Sequence, residues 1–225
     1  MGLTYIGHPL KAISRHNETM TRNLVFDFGK VLVEYDFVDF FRRLIPDARR
    51  CMQLASIMTD DETLRRFDRE EKPIEELVKD LISENPAFED EIRLFAERYP
   101  EIITGEMPGM KELLVRLKGE GFSLYGLSNW CSKVYVTMGQ YDIFQLMDGY
   151  VISSEEHLVK PEAEIYHRLY EKFGLKPEEC IFADDKQENI EGARRTGMRG
   201  IVFENAAQYE RELRRMLREE TGGQG

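Results

Sequence analysis

Histidine, cysteine and tryptophan are scarce in this chain, and long apolar runs are missing. Four histidines, three cysteines and one tryptophan are spread over 225 residues. Cys51, Cys131 and Cys180 show no C-x-x-C or Cys/His spacing, which removes a thiolate metal site from consideration. An odd set of three can form one disulfide at most, so reduced thiols in a cytoplasmic protein are expected. No apolar run approaches the ~18 residues that would cross a bilayer, so no membrane partner is expected. Positive charge is also short: 31 lysines and arginines stand against 42 acidic residues, a net charge of −11. That balance argues against nonspecific nucleic-acid binding and leaves phosphorylated ligands to local cationic sites. Residues 1–22 lack the apolar core of a secretory signal and are expected to form a flexible extension.

What the chain does contain is enough hydrophobic sequence, 42%, for one sizeable core with a smaller appended domain. Short apolar runs at 24–28, 122–127, 150–152, 180–183 and 200–203 read as strands. Helical periodicity lies between the later ones. Met110, Leu113, Leu114 and Leu117 share a face ahead of Gly119 and Gly121, and Pro161 opens a helix bearing Ile165, Leu169 and Phe173. Fully apolar strands alternating with helices predict an α/β fold, a Rossmann-like parallel sheet with helices on both faces. Residues 37–104 break the alternation and read as helix only, with one stripe at Ile74, Leu77, Val78, Leu81 and Ile82 and another at Ile92, Leu94, Phe95 and Tyr99. The expected organisation is a core of 23–36 and 105–225 with an all-helical cap at 37–104. The stretch YERELRRMLREETGGQG reads as a surface helix with a loose end.

In such a sheet ligands bind beyond the carboxyl ends of the strands, and polar residues collect there. Asp27 interrupts the run LVFDFGKVLV; Ser128 and Asn129 close LYGLSNW; Lys160 follows VISSEEHLV; Asp184 and Asp185 end CIFADD. Singly, Asp27 reads equally as a turn former, Ser128 and Asn129 as a helix cap, and Lys160 as a solvated side chain. Two adjacent carboxylates at the end of a buried strand repel unless a cation or donors neutralise them, so Asp184 and Asp185 read as functional. Brought to one sheet edge, the set provides carboxylates for Mg²⁺ and a hydroxyl and amine for phosphoryl oxygens. Transfer of a phosphoryl group to a carboxylate nucleophile is the chemistry it suits.

The segments VFDFGKVLV, LYGLSNW, LVKPEAEIY and FADDKQENIEGARRTG, in that order, resemble the four motifs of the haloacid dehalogenase superfamily. The resemblance runs from residue 23 to about 205. It implies that Asp27 is the nucleophile, that Ser128, Asn129 and Lys160 hold the phosphoryl group, and that Mg²⁺ is bound by Asp27, the Gly29 carbonyl, Asp184 and Asp185. Asp185 is favoured as the direct ligand. One departure stands out. Phosphatases of the superfamily usually carry a second Asp two residues after the nucleophile as general acid and base, and this chain has Gly29. The D-x-G-x-V pattern, LSNW and FDREEKP resemble a subgroup with sugar-phosphate phosphatases of the glucose-1-phosphate type. A substitute proton carrier is expected to be water or a residue near Asp68, Arg69 and Glu70.

The leading expectation is therefore a Mg²⁺-dependent phosphatase for a small phosphorylated metabolite. A metal-free 2-haloacid dehalogenase would leave the double carboxylate without purpose. A catalytically weak phospho-ligand-binding module is motivated by Gly29. Lys30 reads mainly as solvent-facing, and Arg65, Arg66 and Arg69 as a charged exposed helical face.

Overall fold

In the computed structural model, which describes residues 20–222, the first strand β1 (Asn23–Phe26) lies at the centre of a five-stranded sheet. A three-residue strand β2 (Val33–Tyr35) follows. Helices α1 (Phe37–Leu44), α2 (Ala48–Met58), α3 (Asp61–Arg69), α4 (Ile74–Glu84) and α5 (Glu89–Glu97) come next. Strand β3 (Ile103–Glu106) pairs antiparallel with β2. From there strand and helix alternate: α6 (Met110–Gly119), β4 (Ser123–Ser128), α7 (Val134–Met138), β5 (Gly149–Ile152), α8 (Ser153–Glu156), α9 (Ala163–Phe173), β6 (Cys180–Asp184), α10 (Gln187–Arg195), β7 (Arg199–Val202) and α11 (Ala206–Gly222).

The large sheet runs β5-β4-β1-β6-β7 with every pairing parallel. Because successive side chains of a strand point to opposite faces, β1 divides its burial between two layers. Leu24 and Phe26 join α6 (Leu113, Leu114, Leu117), α11 (Tyr209, Leu213) and the helices of 37–97. Val25 joins α9 (Ile165, Tyr166, Leu169) and α10 (Ile190, Ala193). All five expected strands form within a residue or two of their expected limits, and the α/β class with an all-helical insertion stands.

Four details differ from the sequence reading. The β2–β3 ribbon was not expected: β2 lies in the core segment 23–36 and β3 straddles the expected boundary between cap and core at 104–105, and strands of three and four residues are too short to show a period. Pro161 precedes α9 instead of opening it; Glu162 is the N-cap and Ala163 the first helical residue. Helix α11 is no mere surface helix, because Tyr209 and Leu213 are fully buried. Thr21 and Arg22, assigned to the expected extension, are fastened to the fold: Arg22 N donates to Glu179 O at 2.9 Å, and Thr21 N to Glu220 Oε2 at 3.1 Å. The rest of that expected extension, residues 1–19, and the loose end at 223–225 lie outside the described residues. Cys51, Cys131 and Cys180 are all free thiols, and among the described residues no helix is long and apolar enough to cross a membrane.

Candidate active site

Asp27 sits one residue beyond β1, where its backbone N–H still pairs with Ala183 O of β6 at 2.9 Å. The parallel register places Phe26 beside Gly126 and Ala183, so the residues following each meet at one edge. Asp184 and Asp185 arrive from the end of β6, Ser128 and Asn129 from the end of β4. Lys160 returns from the loop after α8. Gly126 lets β4 pass the Phe28 ring, since a Cβ there would lie 2.4 Å from it.

The ammonium of Lys160 is the hub. Its side chain is completely buried, and Nζ reaches Asp184 Oδ2 at 2.7 Å, Asp27 Oδ1 at 2.9 Å and Leu127 O at 3.0 Å. Asp27 Oδ1 also accepts from Phe28 N at 2.7 Å and Ser128 Oγ at 2.9 Å, while Oδ2 takes part in none of these bonds. Asn129 holds the Lys160 backbone, accepting from Lys160 N at 2.8 Å and donating to Lys160 O at 3.1 Å. Asp184 further accepts from Lys186 N at 2.8 Å and from Asn189 Nδ2 at 3.0 Å on each oxygen. Burial pushes the Asp27 carboxyl up to about 7; Lys160 opposes the shift, and the charges of Asp184 and Asp185 add to it. Burial works to lower the Lys160 pKa, but Asp184 and Asp27 outweigh it and the net shift is upward.

These groups face a cavity of about 100 Å³ whose far wall comes from the ribbon and the helical insertion: Tyr35, Phe37, Leu64, Asp68 and Tyr99. The sequence-expected residues Asp27, Gly29, Asn129, Lys160 and Asp185 all line it. Ser128 stays behind Asp27 and is buried. One oxygen each of Asp27, Asp184 and Asp185 lies within 4.8 Å of the others. Three carboxylates share one ammonium in direct contact, with the Lys186 charge acting on Asp185 from nearby; burial, with Asp184 second, still raises the Asp185 pKa. A hard divalent cation fits such a set of oxygens. Both Asp184 oxygens already accept from protein donors, whereas Asp185 faces the cavity.

Other expectations are redirected. Lys30 faces neither phosphate nor open solvent; it adopts φ 61° and folds back, Nζ donating to Tyr35 O at 2.7 Å and lying 4.6 Å over the Tyr35 ring. Arg65 and Arg69 both pair with Glu162 of the sheet domain, and Arg66 pairs with Glu84 at 2.9 Å. Glu70 is occupied by Ser132, accepting from its N at 2.7 Å and its Oγ at 2.8 Å. Of Asp68, Arg69 and Glu70, Asp68 is the one lining the cavity. Burial pushes its carboxyl up to about 7, Lys186 opposing and Asp27 adding. Its unfolded pKa is near 3.8, so between those values the folded state holds the extra proton and stability falls as pH rises. Asp68→Asn removes that penalty: its melting temperature relative to wild type is expected to be several degrees higher at pH 8 than at pH 4.5.

Sequence reading missed Tyr35, Lys186 and Asn189. Asn189 was detectable, since it lies in the first turn of the helix after the double carboxylate. Tyr35 carried no signal, yet it bears directly on the missing acid. A Cβ on Gly29 would stand 2.9 Å from Tyr35 Cε1. The ring is pinned by Lys30 on its face and by Phe37 edge-on at 5.7 Å. Tyr35 thus fills the room an Asp at position 29 would need. Overpacking of this kind costs about 1–3 kcal/mol. Gly29→Asp is expected to lose that much in denaturant unfolding, and the same substitution is expected to cost less in a Tyr35→Ala background than in the wild-type chain.

Residues 24–203 match the family model described as haloacid dehalogenase-like hydrolase. The chain belongs to that family. Among curated relatives, a sesquiterpene phosphatase of Aspergillus oryzae is 30% identical over 109 residues, 48% of this chain and 56% of its own. A glyceraldehyde 3-phosphate phosphatase of Methanopyrus kandleri is 25% identical over 174 residues, 69% of this chain and 75% of its own. The chain spans about half the length of the curated relatives it matches first. A Bacteroides thetaiotaomicron family enzyme, crystallised with magnesium and inorganic phosphate, superposes with a TM-score of 0.64 at 19% identity, over 83% of this chain and 96% of that one. At that identity the superposition speaks for the fold.

Proposed function

We propose that this family member is a Mg²⁺-dependent phosphatase acting on a small phosphorylated metabolite through an aspartyl-phosphate on Asp27. The observation that carries the reading is the clustering of Asp27, Asp184 and Asp185 around the buried Lys160, with Asp27 and Asp185 opening onto one cavity. The phosphatases among its relatives support it; a sugar phosphate as the substrate class rests only on the resemblance carried by D-x-G-x-V, LSNW and FDREEKP. Asp27, the Gly29 carbonyl, Asp184 and Asp185 would hold Mg²⁺, with Asp185 the direct ligand and Asp184 set back by its protein donors. When bound, the ion supplies positive charge against the phosphoryl oxygens.

The chain's own residues account for the remaining steps. Asp27 Oδ2 attacks phosphorus while Oδ1 is held by Ser128, Lys160 and Phe28 N. The ester P–O bond breaks, and the leaving oxygen takes the proton of Asp68, whose elevated pKa keeps it protonated near neutrality. Water then attacks phosphorus and gives a proton to the Asp68 carboxylate, while the bond from phosphorus to Asp27 Oδ2 breaks, releasing inorganic phosphate and regenerating the Asp27 carboxylate. Lys160 and Asn129 orient the phosphoryl group. Residues 37–104 act as a cap over core residues 23–36 and 105–225, with the β2–β3 ribbon as the joint.

Turnover of a panel of phosphorylated sugars, nucleotides and acids with Mg²⁺, repeated after chelation, tests the reading. Activity on at least one member that chelation removes is expected. Inactivity throughout would favour the binding-module alternative, and activity surviving chelation the dehalogenase-like one. Asp68→Asn is expected to lower kcat by about 100-fold or more and to abolish the decline in rate above pH 7.

A further inference from the structure

A second cavity, of about 40 Å³, adjoins the first inside the helical insertion, and Phe37, Leu64, Asp68 and Tyr99 line both. Its walls come from α3, α4 and α5, with Phe67, Ile74, Val78, Leu81, Phe95 and Ala96 supplying hydrocarbon. Beyond the shared boundary the side chains with polar atoms are Thr63, Cys131 and Lys133. Cys131 is buried, and desolvation pushes its thiol up to about 12, so it offers a neutral, weak donor. Thr63 and Lys133 are only half-buried, and Lys133 also borders a separate surface hollow, so a polyhydroxylated group seated deep among the hydrocarbon walls would exchange its water for too few partners, and each unmatched hydroxyl is costly. A hydrocarbon group meets no such penalty and gains with every methylene removed from water.

We propose that the alcohol moiety of the substrate is apolar, a short hydrocarbon chain seated between α3, α4 and α5 with its phosphoryl group at Asp27. This rests on the phosphatase reading and replaces the sugar-phosphate expectation, which came from resemblance alone. Its volume admits one or two methylene-sized groups before the walls must give, so selectivity is expected to climb over the first carbons and then level.

The test pairs kinetics with binding. For methyl, ethyl, propyl, butyl and hexyl phosphate with Mg²⁺, kcat/KM is expected to rise about fourfold per methylene that enters and then to plateau. Glucose 1-phosphate is expected to fall below butyl phosphate. Acetyl phosphate reports the phosphatase reading separately: its turnover with a flat alkyl series, or with glucose 1-phosphate preferred, sinks the apolar assignment and keeps the enzyme. Calorimetry covers the opposite case. With Mg²⁺, butylphosphonate is expected to bind at least tenfold more tightly than methylphosphonate, and equal affinities overturn the assignment whatever the turnover. In Val78→Asp, which places a charge in the cavity wall, the butyl-to-methyl ratio is expected to fall at least tenfold. Ala96→Leu, which narrows the cavity without a charge, should lower the same ratio if the first variant fails to fold.

Discussion

Lys160→Met is expected to destabilise the protein by about 3–5 kcal/mol at neutral pH and to abolish turnover. The Lys160 ammonium has no solvent contact and, among the described residues, is the one cation touching both Asp27 and Asp184. Methionine fills similar volume but leaves two buried carboxylates facing each other, one of them already raised by burial. Breaking a buried pair from one side costs more than the pair itself contributes, because the stranded charge keeps its desolvation penalty. The carboxylates can escape only by taking up protons, so the variant's deficit should shrink as pH falls toward 5 and grow toward pH 8. Thermal unfolding of both proteins at the two pH values measures this; an equal deficit at both would contradict the central role given to the ammonium. Added Mg²⁺ should recover part of the loss, since a divalent cation answers the same excess negative charge.

Asp27→Asn is expected to reduce kcat by at least 10⁴-fold, the scale seen when a nucleophile is removed, while the fold persists. The amide keeps an oxygen to accept from Ser128, Lys160 and Phe28 N, and it removes one of the carboxylates raised by burial. Melting should therefore stay level or rise slightly above pH 7, opposite to Lys160→Met. Inorganic phosphate, probed with Mg²⁺ by calorimetry, should still bind, because Lys160, Asn129 and Asp185 remain. A variant with substantial turnover would remove Asp27 from the attacking role and return weight to the binding-module reading.

The two substitutions touch atoms 2.9 Å apart, yet their expected effects on stability carry opposite signs. Both signs follow from charge balance in a buried site, where three carboxylates meet one ammonium. Lys160, Lys186 N, Asn189 and Ser128 already satisfy the innermost oxygens. On the proposed Mg²⁺-dependent reading, Asp185 at the cavity edge is the group left for the ion.

Much of the candidate site was legible in the chain because strand ends are legible. An apolar run that stops at Asp27, or at Asp184 and Asp185, marks both the strand and its polar terminus, and a parallel sheet gathers such termini on one edge. The helical periodicities of α4 and α6 were equally plain. What could not be read were relations between segments without a period of their own. The β2–β3 ribbon is too short to alternate visibly. Tyr35 shows no sign in sequence that its ring occupies the room beside Gly29. Lys30 looked solvent-facing until a left-handed turn folded it onto that ring. Arg65 and Arg69 had the composition of a solvated face; Arg65 is exposed as expected, and both also tie α3 to Glu162.

Alternating apolar strands and helices, and the order of acidic and basic residues at their ends, determined the fold class, the family and the carboxylate–amine chemistry, since each depends on local pattern and topology. Tertiary packing alone decided which oxygens stay free, that Tyr35 crowds position 29, that Asp68 lines the cavity beside Asp27 while Glu70 does not, and that hydrocarbon walls adjoin it. Those outcomes depend on ångström-scale contacts between residues tens of positions apart, which no local period encodes.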